Sequence, residues 1–175
     1  MVETIAAFVL GLFLWTLLEY AIHGWIGHLS ASFAARLHAV HHRDPHAIFT
    51  IGAWLPLTVL YAAGIGLLGL SPAMTVLSGT LCGFVVYEAI HYRIHFIRPR
   101  GRIERWLREH HLTHHQQMPN RCFGVTSPLW DIIFGTEPTS NREELFALVR
   151  KTTPLTGRTN VRLLFAFHYL RSQQE

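Results

Sequence analysis

"PHAIFTIGAWLPLTVLYAAGIGLLGLSPAMTVLSGTLCGFVVY", residues 45–87, holds no Asp, Glu, Lys or Arg over 43 consecutive positions. A soluble domain of 175 residues can hardly bury such a run, so lipid is expected to cover it. As one helix it would extend about 65 Å at about 1.5 Å per residue, against a hydrocarbon core of about 30 Å, which makes it two crossings. The break falls at "LGLSPAM", where Ser71 can cap a helix and Pro72 suits a first turn. Helices are therefore expected near 47–69 and 73–95, joined by a tight turn.

Upstream, "IAAFVLGLFLWTLLEYAIHGWI", 5–26, is apolar apart from Glu19 and His23 and is long enough to cross. It lacks the basic segment and small-residue cleavage site of a removed signal peptide. Three crossings put residues 1–4 and the turn near 70 on one side, and 27–46 and 96–175 on the other. All fifteen Lys and Arg residues, from Arg36 to Arg171, fall on the second side or at its boundary. That side, with the C-terminus, is then cytoplasmic.

The sequence pI near 9.5 follows from this topology and from contact with anionic headgroups, so nucleic acid is not expected as a partner. Cys82 and Cys122 lie at different depths and imply no disulfide. No repeat or flexible linker divides the chain, which reads as a single membrane-embedded domain, 1–175. Residues 138–160 read as polar surface, and "VRLLFAFHYLR", 161–171, as a helix either lying in the interface or packing on the cap. The expected architecture is an all-α integral membrane protein with about three transmembrane helices and a cytoplasmic helical cap.

Twelve of the thirteen histidines form four clusters at the cytoplasmic helix ends or just beyond, and ten of them have ligand spacing. His91 and His95 are four apart and share a helix face. "LHAVHHRDPH" and "HLTHHQQ" each contain H-x-x-H-H: His38, His41, His42 and His111, His114, His115. On a helix each triplet faces one way, with the adjacent rings splayed by about 100° and so able to serve two metals. His23 and His28 are five apart, which needs the helix to end or bulge between them, as Gly24 and Gly27 allow.

Ten imidazoles suit two metals. His46 and His168 read as interface residues, and His110 stands four before His114 as an alternative to His111. Glu19, one turn before His23, and Glu88, three before His91, are each placed to accept a ligand's free N–H. The all-nitrogen donor set admits zinc, iron, copper or nickel. So many ligands for two metals favour high coordination numbers with room for a small exogenous ligand, and iron activating dioxygen fits best. No nucleophile elbow, H-E-x-x-H, P-loop or dinucleotide fingerprint competes.

The order H-x4-H, H-x2-H-H, H-x3-H, H-x2-H-H, with "YEAIHYRIHF" and the tail "FGVTSPLWDIIFGT", resembles the fatty acid hydroxylase and sterol desaturase superfamily across roughly 19–137. Within it the tail is most similar to fatty acid 2-hydroxylases. The resemblance implies a membrane oxygenase using two iron ions, O2 and two electrons to attack an unactivated C–H bond of a lipid drawn from the bilayer. Its ligands fall on His23, His28, His38, His42 and His114 for one metal, and on His41, His91, His95, His111 and His115 for the other. Zinc binds the same nitrogens and can be the metal recovered.

Trp130 and Asp131 match the family's W-D before F-G-T, where a supporting role is implied. Glu88 stands where these hydroxylases often have Asp, three crossings replace the usual four, and no cytochrome b5-like segment is recognised. The electron donor is therefore expected to be a separate redox protein, cytochrome b5-like or ferredoxin-like. A lipid or sterol desaturase and a carotenoid hydroxylase use a similar site. From other classes, a metal transporter or sensor would place ligands near the bilayer midplane, and a zinc hydrolase would need far fewer of them.

Overall fold

The computed structural model describes residues 1–28, 32–45, 59, 61, 63, 64, 71–138 and 142–153. Among these every regular element is helical: α1 (Val2–Tyr20), continued by a π-helical turn (Ala21–Ile26), then α2 (Phe33–Arg43), α3 (Pro72–Phe96), α4 (Arg102–Gln116), α5 (Leu129–Phe134) and α6 (Arg142–Thr152). Two helices, Val2–Ile26 and Pro72–Phe96, are long and apolar enough to cross a membrane. Most of the expected 47–69 crossing lies outside the described residues, as do His46, His168 and the expected helix 161–171. Tyr61, one of the four described positions of that stretch, shares a 2.7 Å hydrogen bond with Ser78 of α3.

The start of α3 follows its local chemistry. Ser71 Oγ accepts the Met74 amide at 3.3 Å and Pro72 opens the first turn, where its missing N–H costs nothing. Ser32 caps α2 in the same way, accepting from the Ala35 amide at 3.1 Å.

α1 and α3 pack together without large side chains between them over part of their length. A Cβ on Gly11 would run into the Val76 carbonyl oxygen, and one on Gly79 into that of Phe8. The absence of side chains lets the backbones meet, and Thr80 Oγ1 uses the proximity to donate to the Gly11 carbonyl at 3.2 Å. Lipid tails are as apolar as leucine, so close van der Waals contact and such hydrogen bonds hold the pair. Val9, Leu10 and Phe13 on the outer side of α1 stay exposed, as a lipid-facing surface should.

Beyond α3 the chain turns through 97–101 into α4, whose apolar side joins Ile94, Leu112, Val125 and Val149 in one core. The segment 138–160 is not simply polar surface. Residues 142–152 form α6, which buries Phe146 and Val149 and ties Arg150 to Glu109 of α4 at 2.9 Å. The signal was the apolar set Leu145, Phe146 and Val149, spaced three and four apart among charges.

Gly79→Leu is expected to drive α1 and α3 apart and lower stability by about 1–3 kcal/mol or more, the usual cost of overpacking. Gly101→Ser, where nothing lies within 4 Å of an added Cβ, should change little. Thermal unfolding of both variants in detergent checks the contrast.

Candidate metal centre

The π-helical turn answers the five-residue spacing of His23 and His28. The Gly27 amide bonds the Ile22 carbonyl at 2.8 Å, five residues back, and this wider turn carries both rings to one side. Gly24 is required for another reason: a Cβ there would press on the Phe123 ring.

The ten expected histidines converge in two groups of five. His23, His28, His38, His42 and His114 form one, and His41, His91, His95, His111 and His115 the other; within each, one ring nitrogen per residue lies within 4.8 Å of all the rest. Each H-x-x-H-H serves both. α2 gives its i,i+4 pair, His38 and His42, to the first group and His41 to the second; α4 gives His111 and His115 to the second and His114 to the first. The groups adjoin, with the His42 and His115 rings stacked at 4.2 Å.

Ring tautomers decide what the first group can do. His23 Nδ1 lies 2.5 Å from the Phe123 carbonyl and His114 Nδ1 2.8 Å from the Arg121 carbonyl. A carbonyl only accepts, so both Nδ1 atoms carry the proton and both Nε2 atoms present lone pairs. These Nε2 atoms stand 3.0 Å apart, lone pair towards lone pair. No hydrogen bond can join them; a cation between them can.

The neighbouring Nε2 contacts, His28 to His114 at 3.1 Å, His38 to His28 at 2.8 Å, His42 to His38 at 2.9 Å and His114 to His42 at 3.0 Å, complete a ring of nitrogens. Nitrogens bound at right angles to one metal at about 2.0–2.1 Å stand about 2.9 Å apart. The donor set therefore fits a transition metal.

The second group has the same character. His91 and His95 approach His111 at 2.9 and 3.0 Å through Nε2, while both nitrogens of His41 and the Nε2 of His115 are buried with no hydrogen-bond partner among the described residues. Burial, reinforced by neighbouring rings, lowers the imidazole pKa of His38 to about 2, of His41 to about 3 and of His42 to about 4. Burial likewise pushes His111 and His114 well below the ordinary value. These rings are neutral at pH 7, the form that binds a metal.

The residues expected to support the ligands act differently from expectation. Glu19 does not reach His23. Its carboxylate accepts from the Val125 amide at 2.5 Å, the Thr126 amide at 2.8 Å and the Thr126 hydroxyl at 2.5 Å. Glu88 makes no hydrogen bond to His91, and its buried Oε2 has no partner among the described residues. His110 joins neither group; it stacks on Trp106 and bonds Asp131 at 3.2 Å.

Asp131, fully buried, accepts the Phe123 and Gly124 amides at 2.8 and 2.7 Å and the Thr136 hydroxyl at 2.6 Å. It thereby holds the loop whose carbonyls orient His23 and His114. Those two carbonyls carry no sequence signal, because every residue has one. Between them Cys122 adopts a left-handed φ of 60°, a conformation that costs a non-glycine residue about 1–3 kcal/mol.

A cavity of about 530 Å³ opens between α1, α2 and α3. Leu77, Leu81 and Phe84 line its apolar length, and His23, His38, His41 and His91 from both groups line its end, beside Glu19 and Glu88. From Leu77 to His91 along α3 is about 21 Å at about 1.5 Å per residue.

A family model described as fatty acid hydroxylase matches residues 8–136. A dihydroceramide fatty acyl 2-hydroxylase of Arabidopsis thaliana is 32% identical over 79% of this chain and 63% of its own length. The fatty acid 2-hydroxylase of Homo sapiens is 34% identical over 74% of this chain and 38% of its own. A solved structure of full-length Scs7p, in which only the hydroxylase domain is visible, superposes with a TM-score of 0.65 at 29% identity, covering 78% of this chain and 57% of that one. The chain thus spans less than two thirds of these relatives.

Elemental analysis of protein produced with added iron is expected to find two metal ions per chain. His114→Ala and His95→Ala should each lose metal while still inserting into membranes. Glu19→Ala, which orphans buried donors at Val125 and Thr126, is expected to cost about 1–3 kcal/mol per donor in thermal unfolding.

Proposed function

The chain belongs to the fatty acid hydroxylase family, and from that membership we propose that it hydroxylates an acyl chain of a membrane lipid at an unactivated C–H bond, with O2 as oxidant. The observation that carries the reading is the apolar cavity ending on ring nitrogens of both histidine groups. An apolar space that runs along α3 suits an acyl tail, and among the described residues its histidines and carboxylates gather at that end.

In balance, one C–H bond and one oxygen atom become C–OH, the other oxygen leaves as water, and two electrons and two protons enter from outside. Two iron ions held by the ten histidines would supply the activation of dioxygen and the one-electron chemistry that an aliphatic C–H bond requires. The chain's own residues do the rest. Phe84, Leu81 and Leu77 hold the tail in a dry channel, and α1 and α3 fix its course so that one carbon meets the site. The Phe123 and Arg121 carbonyls hold His23 and His114 in the tautomer that presents Nε2.

The relatives' names point to the 2-position of fatty acyl chains, in ceramides or dihydroceramides among them. We carry that position to this chain as the proposed site of attack. A separate redox protein, cytochrome b5-like or ferredoxin-like, delivers the electrons. The concentration of all fifteen Lys and Arg residues on one side supports a cytoplasmic location for the site and the C-terminus.

Lipid profiling of cells with and without the protein, under isotopically labelled O2 gas, tests this. Labelled 2-hydroxy acyl lipid is expected with wild type and absent with His114→Ala. A new double bond instead of a hydroxyl would establish a desaturase, and product formed without O2 would rule out an oxygenase.

A further inference from the structure

The segment 123–135 does more than present a carbonyl. It leaves the histidines, runs down the outside of α1 and returns. Near the site Val125 and Thr126 meet Glu19. Farther down, the Trp130 indole N–H donates to Thr16 Oγ1 at 2.9 Å and its ring lies 5.7 Å from Phe13. On the way back Phe134 stacks on Tyr20 at 5.1 Å, and Thr136 meets the Tyr20 hydroxyl at 3.1 Å. The chain closes on itself where the Cys122 amide bonds the Thr136 carbonyl at 3.0 Å.

Depth follows from the helix that it touches. At about 1.5 Å per residue, Thr16 and Phe13 lie about 10 and 15 Å along α1 from His23, against a hydrocarbon core of about 30 Å. The outer side of α5 is apolar and open: Leu129 is 38% exposed, Ile132 62%, Ile133 57% and Phe134 46%. Four bared apolar side chains on a six-residue helix are costly in water. They continue the exposed face of α1 at Val9 and Phe13.

We propose that residues 123–135 form a re-entrant hairpin embedded in the hydrocarbon of the bilayer beside α1, with Leu129, Ile132, Ile133 and Phe134 packed against lipid tails. Irregular backbone survives at that depth only if its polar groups find partners within the protein. Here they do. Asp131 accepts the amides of Phe123 and Gly124, Glu19 those of Val125 and Thr126, and Ser127 Oγ that of Leu129. The Ile132, Gly135 and Thr136 amides bond the carbonyls of Pro128, Ile132 and Asp131. Two buried carboxylates thus do for this hairpin what water does for a loop at the surface. The occupant is lipid rather than a second copy of the chain because the face is continuous with the lipid-facing side of a spanning helix.

The inference rests on α1 as a membrane span, and the test separates the two. In a Cys82→Ser background, Ile133→Cys carries an environment-sensitive fluorophore, with Val9→Cys on α1 and Arg102→Cys on α4 as references. The full chain is reconstituted into phosphatidylcholine vesicles. Nitroxide groups on the lipid tails are expected to quench most of the fluorescence at Ile133 and Val9 but not at Arg102, and aqueous iodide the reverse. Iodide quenching at Ile133 with lipid quenching at Val9 would overturn the hairpin alone; iodide quenching at both would overturn the span. Protection of Ile133 from both quenchers would place protein on this face and also overturn the proposal. If Ile133→Cys loses its metal, Ile132→Cys gives the same reading from the neighbouring exposed position.

Discussion

Two backbone carbonyls, of Arg121 and Phe123, decide how the site behaves. Each takes the Nδ1 proton of a histidine and so turns an Nε2 lone pair inward, where it faces another lone pair at 3.0 Å. Such an arrangement is repulsive in an empty protein and favourable around a cation. The surroundings must therefore keep the rings in place before a metal arrives, and the rest of the structure supplies that restraint.

The restraint reaches from the site to the far parts of the fold. Asp131 and Glu19 divide the amides of one loop between them, and that loop carries one of the two carbonyls and adjoins the other. Glu19 belongs to α1, which is locked to α3 through the Gly11–Gly79 contact, and α3 brings His91 and His95. Positions in α1 and α3 and in the segments beyond them are thus tied to one set of ring orientations. α4 and α6 pack together through the core around Leu112 and Val149.

Much of this was legible in the residues, and the exceptions have physical reasons. The capped start of α3 followed from Ser71 and Pro72, and the wide turn at 21–26 from a five-residue histidine spacing with glycines between. The grouping of the ten histidines followed from helical geometry at H-x-x-H-H together with the family resemblance. Glu19 misled because one helical turn to His23 was a nearer partner in sequence than a loop 106 residues away. α6 was hidden by its charge, its inward side being only two buried residues wide. The carbonyls that fix the tautomers were invisible in principle, since the backbone is the same at every position.

The exchange of rings between α2 and α4 has a consequence for assembly. Each helix contributes to both groups, so a cation that settles in either one fixes the relative placement of the same two helices for the other. Whatever freedom the surrounding packing leaves those two helices would then be lost largely at the first event, and the second ion would meet a tighter cage. Loading of two cations would therefore be cooperative, and by linkage the loss of either would loosen the hold on its neighbour to the same degree.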